Sequence, residues 1–132
     1  MSETEANRAL VQAAFDRWRA GTGTPFELLA PDASWTIAGS SSPLSKTYGL
    51  KELQDQVLSP LAARLERPLA PSVRGIWADG DAVIVLFDAE APARGGGAYR
   101  NTYTWHFRMS GGRVASALAF FDVHHLDEFL AR

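Results

Sequence analysis

Proton chemistry needs a titratable side chain within reach of a substrate, and few residues of this 132-residue chain offer one. His124-His125 followed by Asp127-Glu128 invites a metal or proton-transfer reading. The ligands of a mononuclear site share one face, as at i, i+4 spacing, whereas adjacent residues point apart, so no metal site is expected. His125 remains a candidate proton carrier near a pocket mouth. Asp122 is a candidate general base if apolar neighbours raise its pKa; its other reading is the N-cap of a terminal helix. Asp88 and Glu90 share a strand face and read as paired carboxylates or, better, as a solvated edge. Gly95-Gly96-Gly97 lacks the helix and lysine of a phosphate loop. Ser40 to Ser42 lack the strand-turn-helix setting of a nucleophile elbow. No cofactor is implied.

The residues suited to binding are more numerous. They centre on the stretch from Tyr99 to Asp122, YRNTYTWHFRMSGGRVASALAFFD. Two runs rich in aromatic and branched residues flank Ser110-Gly111-Gly112, which predicts a long β-hairpin. Period-two alternation puts Asn101, Tyr103, Trp105 and Phe107 on one face, with Arg100, Thr102, Thr104, His106 and Arg108 on the other. The first face suits an apolar cavity wall, the second a polar or interface surface. Trp35, Tyr103, Trp105 and Phe121 are candidates for holding a flat or cyclic ligand. Asn101 would pair either with a ligand carbonyl or with a strand-end backbone group. Phe15, Trp18, Ile37 and Tyr48 complete the candidate ligand-binding set.

The elements that must position these residues can be read in order. Ser2 with Glu5 fits a capping box for a helix to about Ala20, with Leu10, Val11, Ala14, Phe15 and Trp18 as its apolar stripe. A short helix is expected from Phe26 to Ala30, then a strand from Ser34 to Ala38 carrying Trp35 and Ile37 on one side. Residues 39–48 form a small-residue loop suited to a mobile flap. A helix from near Gly49 presents Leu50, Leu53, Val57 and Leu61. Pro60 should kink it, or restart it with Ser59 as cap. Four strands in hairpins follow from Ala70, and a last helix carries Leu126, Phe129 and Leu130. Helices first and an antiparallel run afterwards is an α+β pattern, expected as one domain over residues 1–132.

Composition closes off several function classes. Thirteen basic and 15 acidic residues give a net charge of −2 with neither sign clustered, so no basic stripe for nucleic acid is expected. Cysteine is absent, which removes disulfides and thiolate chemistry. The polar, acidic MSETEANRAL start is unlike a signal peptide, no apolar run reaches membrane-spanning length, and a cytoplasmic setting is the default expectation.

The element order, with LLAPDASW (28–35), ADGDAVIV (78–85), YRNTYTWHFR (99–108), SGGRV (110–114) and AFFD (119–122), resembles the SnoaL-like polyketide cyclase family of the nuclear transport factor 2-like superfamily. That superfamily also holds ketosteroid isomerase and limonene epoxide hydrolase. The resemblance implies a cone-shaped α+β barrel, a strongly curved mixed sheet with helices on its concave side enclosing a pocket. It also implies a homodimer through the convex face, here Arg100, Thr102, Thr104 and His106. The isomerase base falls at Ile37, its oxyanion donors at or beside Phe15 and at Trp105, and the second hydrolase aspartate at Ala119. The usual acids are therefore absent from these positions. Two readings follow: a small hydrophobic, cyclic ligand undergoing cofactor-free isomerisation, cyclisation or dehydration, or a non-enzymatic binding or accessory protein. An acid or histidine opening into the cavity would favour the first; a solid core without a cavity would indicate an interaction module instead.

Overall fold

The alternating residues from Ala70 to Phe120 build the four long strands of a six-stranded sheet. The computed structural model describes Met1–Arg132. Its strands are β1 (Leu29–Ile37), β2 (Thr47–Tyr48), β3 (Ala70–Asp79), β4 (Ala82–Pro92), β5 (Ala98–Ser110) and β6 (Arg113–Phe120), ordered β2-β1-β6-β5-β4-β3. β1 runs parallel to β6 and every other pair is antiparallel. The α+β class and mixed, curved sheet are as expected. The sheet is not a closed barrel, because β2 and β3 stand at opposite edges without pairing to each other. Register shifts interrupt the β1–β6, β3–β4 and β5–β6 ladders, and such bulges bend a sheet and increase its twist.

Local chemistry accounts for the boundaries. Gly111 and Gly112, at φ 57° and 79°, make the left-handed two-residue turn that joins β5 to β6. β1 starts at Leu29, earlier than expected, and the preceding helical turn is a short 3₁₀ segment, Pro25–Leu28. Pro31 and Asp32 fall within the bulge between Leu29 and Ser34, where proline's missing N–H is tolerated.

Helix α1 (Glu3–Ala20) begins at the Ser2 cap and lays Val11, Ala14, Phe15 and Trp18 on the sheet. Hydrogen bonds fix it along β3: Asn7 Nδ2 donates to Gly80 O (3.0 Å), Gly80 N–H to Thr4 Oγ1 (2.8 Å), and Arg19 to Pro71 O (2.9 Å). The second helical region comprises α2 (Leu50–Leu53), a π-helical turn (Gln54–Leu58) and α3 (Ser59–Ala63). Of the two expected outcomes, a kink or a restart capped by Ser59, the chain shows an irregular turn followed by α3 with Pro60 in its first turn. Ser59 is not the cap, because Leu58 before it is already helical. Ser59 N–H instead reaches back to Gln54 O, a wider turn that lets the chain pass Pro60 without a helical donor there. Residues 39–48 are tied down rather than open: Tyr48 Oη donates to Leu44 O, and Ser45 Oγ to Ala38 O (3.0 Å). Helix α4 (Val123–Leu130) closes the chain, and no helix is long and apolar enough to cross a membrane.

Asp88 lies on the face of the sheet opposite the core, where Arg74 donates two hydrogen bonds to it (2.9 and 3.0 Å) and Thr102 Oγ1 a third. The Thr102 hydroxyl first, then the Arg74 and Arg100 cations, hold its carboxyl below the usual range. Such a group stabilises the fold above its unfolded pKa of about 3.9 and loses that contribution as pH falls through the lower folded value. Asp88→Asn is expected to lower Tm at neutral pH, with the gap from wild type narrowing as acid protonates the native carboxylate; thermal melts across the acidic range check this.

Candidate functional site

Strict alternation along β5 sends Tyr103, Trp105 and Phe107 to the inner face, and all three are buried. The register sets Ile37 opposite Ala119 and Ala119 opposite Trp105, so these three positions form one row across β1, β6 and β5. They border a partly open chamber of about 70 Å³. Trp35, Tyr103 and Phe121 extend its sheet side. Trp18, Leu53, Val57, Leu58 and Leu61 form its helical side, with Phe26, Leu69 and Leu126 completing it. Every lining side chain is apolar or aromatic.

The chamber wall carries almost no polar surface. None of the indole N–H groups of Trp18, Trp35 and Trp105 donates to a protein acceptor, and none is fully sealed from accessible space. The Tyr103 hydroxyl shares a hydrogen bond with Tyr99 Oη (3.1 Å), which accepts from Asn101 Nδ2 (2.9 Å). Burial first, then the neighbouring Tyr99, pushes the Tyr103 phenol well above its ordinary pKa, so it stays protonated. The lining carries no acid or histidine.

Of the residues singled out from sequence, Trp18, Trp35, Ile37, Tyr103, Trp105 and Phe121 come together at the chamber. Phe15 sits behind it, edge-on to Phe87 with centroids 5.0 Å apart. Tyr48 turns its hydroxyl to Leu44 O. Asn101 is occupied on both ends: Nδ2 also donates to Asp122 O (2.9 Å), and Oδ1 accepts from the N–H of Thr102 (3.0 Å) and of Asp122 (3.2 Å). Asp122 caps α4 by accepting from His125 N–H (3.0 Å). His125 is exposed and stacks on Tyr99 at 5.5 Å, while His124 faces Glu128 at 3.4 Å. No group of three or more His, Asp or Glu side chains is arranged to hold a metal.

Sequence reasoning missed Phe26, Leu58, Leu69 and Leu126 as lining residues. It also missed a second, more open basin of about 490 Å³. The basin shares Trp18, Phe26, Leu58, Leu61 and Leu69 with the chamber, and adds Thr24, Gln54, Glu66, Arg67 and Arg94. The helical stripe through Leu53, Val57 and Leu61 was a readable signal. Nothing local marked the basin, whose polar side chains come from four separate segments of the chain.

The model of the SnoaL-like domain matches residues 8–117. The chain belongs to this family. The fold neighbours of this SnoaL-like domain include Bal32a from a soil-derived mobile gene cassette, at TM-score 0.75 and 22% identity, covering 98% of this chain and 99% of that one. A putative SnoaL-like polyketide cyclase from Jannaschia sp. CCS1 superposes at TM-score 0.74 and 15% identity, covering 99% and 95%. AclR, a putative hydroxylase from Streptomyces galilaeus, does so at 0.74 and 16%, covering 97% of each chain. At these identities the likeness concerns the fold. No curated protein sequence matches the chain significantly.

Asn101→Ala would leave the Asp122 backbone groups and the Tyr99 hydroxyl short of partners, at a cost of about 1–3 kcal/mol. The expected outcome is a lower denaturant midpoint with ligand response intact. A lost response at unchanged stability would place Asn101 in the site instead.

Proposed function

We propose that this SnoaL-like domain binds a small hydrophobic molecule, cyclic in its buried part and carrying a hydrogen-bond acceptor. We further propose that it acts as a binding or accessory protein rather than an acid–base catalyst. The observation that carries this reading is a chamber lined throughout by apolar and aromatic side chains, with no acid or histidine among them. General acid–base catalysis needs a proton acceptor within hydrogen-bond reach of the substrate. Asp122 is engaged as a helix cap, His125 lies over Tyr99 at the surface, and Asp88 is held by Arg74 and Thr102 on the other face. Tyr103 stays protonated with its hydroxyl bonded to Tyr99, so it takes up no proton near neutrality.

Size supports a ligand that spans both spaces. At about 70 Å³ the chamber is roughly half the ~150 Å³ of an apolar cavity that admits benzene. A ring therefore lies partly under Phe26 and Leu58, where chamber and basin meet. Fold neighbours described as a polyketide cyclase and a hydroxylase agree with cyclic small molecules as the class.

A thermal-shift screen against cyclic ketones, polyketide fragments and aromatic acids should raise Tm for at least one class. Trp105→Ala should abolish that response while costing about 3–5 kcal/mol, and the milder Trp105→Phe should weaken it with the fold retained. No shift from any member would overturn the reading.

We also propose a homodimer through the convex face. Trp77 is 56% exposed and Phe120 47%, in a band with Leu118, Ile84, Leu86 and His106. Of the residues expected there, Thr104 and His106 lie in this band, whereas Arg100 and Thr102 surround Asp88. Trp77→Glu with Phe120→Glu is expected to turn a dimer into a monomer in light scattering without loss of ligand response. A monomeric wild type would refute the assembly.

A further inference from the structure

The basin outside the chamber is chemically unlike the chamber itself. Two guanidinium groups, Arg67 and Arg94, line it beside a single acid, Glu66. None of the three takes part in an ion pair: the close pairs of this chain join Lys51 to Asp55, Arg74 and Arg100 to Asp88, Arg108 to Asp81, and His124 to Glu128. The backbone holds the arginines near one another. Leu65 pairs with Ala93 as an isolated β-bridge, and Arg94 N–H donates to Arg64 O (2.9 Å). The β4–β5 hairpin loop is thereby pinned to the segment after α3. In the same turn Arg64 Nε is buried with no acceptor, which makes this corner richer in donors than in acceptors.

From this placement we infer that the ligand is an amphipathic anion: its apolar end enters the chamber and its carboxylate lies in the basin against Arg67 and Arg94. The inference rests on the binding reading above and adds the ligand's charge and orientation. Guanidinium forks match the two oxygens of a carboxylate, and a charged acceptor strengthens each hydrogen bond. The lining between the two ends, through Phe26, Leu58 and Leu69, is apolar and suits a short hydrocarbon or aryl linker.

The test uses three probes of one shape and different charge: phenylbutyrate, phenylbutyramide and phenylbutylamine. Binding is read by tryptophan fluorescence, since Trp18, Trp35 and Trp105 border the chamber. Wild type should prefer the acid over the amide by about fivefold to tenfold at low salt, the range for partly exposed charge-assisted contacts, and bind the amine least. The preference should shrink at high salt. The double variant Arg67→Gln, Arg94→Gln changes exposed residues and should bring the acid-to-amide affinity ratio to about one, with the acid losing more than the amide. Equal affinity for acid and amide in wild type, or an acid preference that survives the double variant, would overturn the inference and leave hydrophobic binding standing. Binding of none of the three would remove both.

Discussion

One indole ring holds the two layers of this protein together. Trp105 lies parallel to Trp18 of α1 (interplanar angle 8°, centroids 5.8 Å apart) and meets Trp35 of β1 edge-on at 4.8 Å and Phe87 of β4 at 4.7 Å. Edge-to-face and offset aromatic pairs add to the burial of their area. Here they couple the first helix, the parallel strand and the hairpin through one residue. The position of the chamber follows from that coupling, because the rings that pack on Trp105 also border the space in front of it.

The same constraint bears on the chemistry. An ionisable side chain in the row formed by Ile37, Ala119 and Trp105 would lose its hydration and require partners among aromatic and aliphatic neighbours. Families that place acids in such a row use that cost to tune a pKa. In this chain the row is occupied by a branched aliphatic, a methyl group and an indole, so no desolvated charge is held there. The available hydrogen-bond donors reside on rings that also stabilise the fold. On the proposed reading, recognition and stability would be drawn from one set of residues, with little freedom to vary one without the other.

Much of this was legible in sequence where a residue's role depends on its immediate neighbours. Alternation along residues 99–109 identified the inner face, Ser2-Glu5 and Gly21 marked the ends of α1, and the Gly111-Gly112 turn gave the hairpin. What stayed hidden depends on geometry between distant segments. Asn101 looked like a ligand contact because it shares the face of Tyr103. Only the return of the chain to Asp122 shows that each end of its amide is held by the α4 junction, with Tyr99 and Thr102 taking the rest of its hydrogen-bonding capacity. The basin arises because Leu65 meets Ala93, a contact between residues far apart in sequence that no local pattern encodes.

The π-helical turn at Gln54–Leu58 shows how a local conflict becomes part of the site. Pro60 cannot donate to the helix, and its ring would press on the carbonyl one turn back. The chain widens its turn just before the proline, through the Ser59 to Gln54 bond, instead of ending the helix. Consecutive residues Val57 and Leu58 both reach the chamber, while Gln54 and Leu58 reach the basin. A break at Ser59 would have ended the helical side at Leu58 and freed Leu61 to turn away. A continuous helix with one enlarged turn keeps Leu53, Val57, Leu58 and Leu61 along the shared boundary of the two spaces. The shape of that boundary traces to one proline and the backbone donor it lacks.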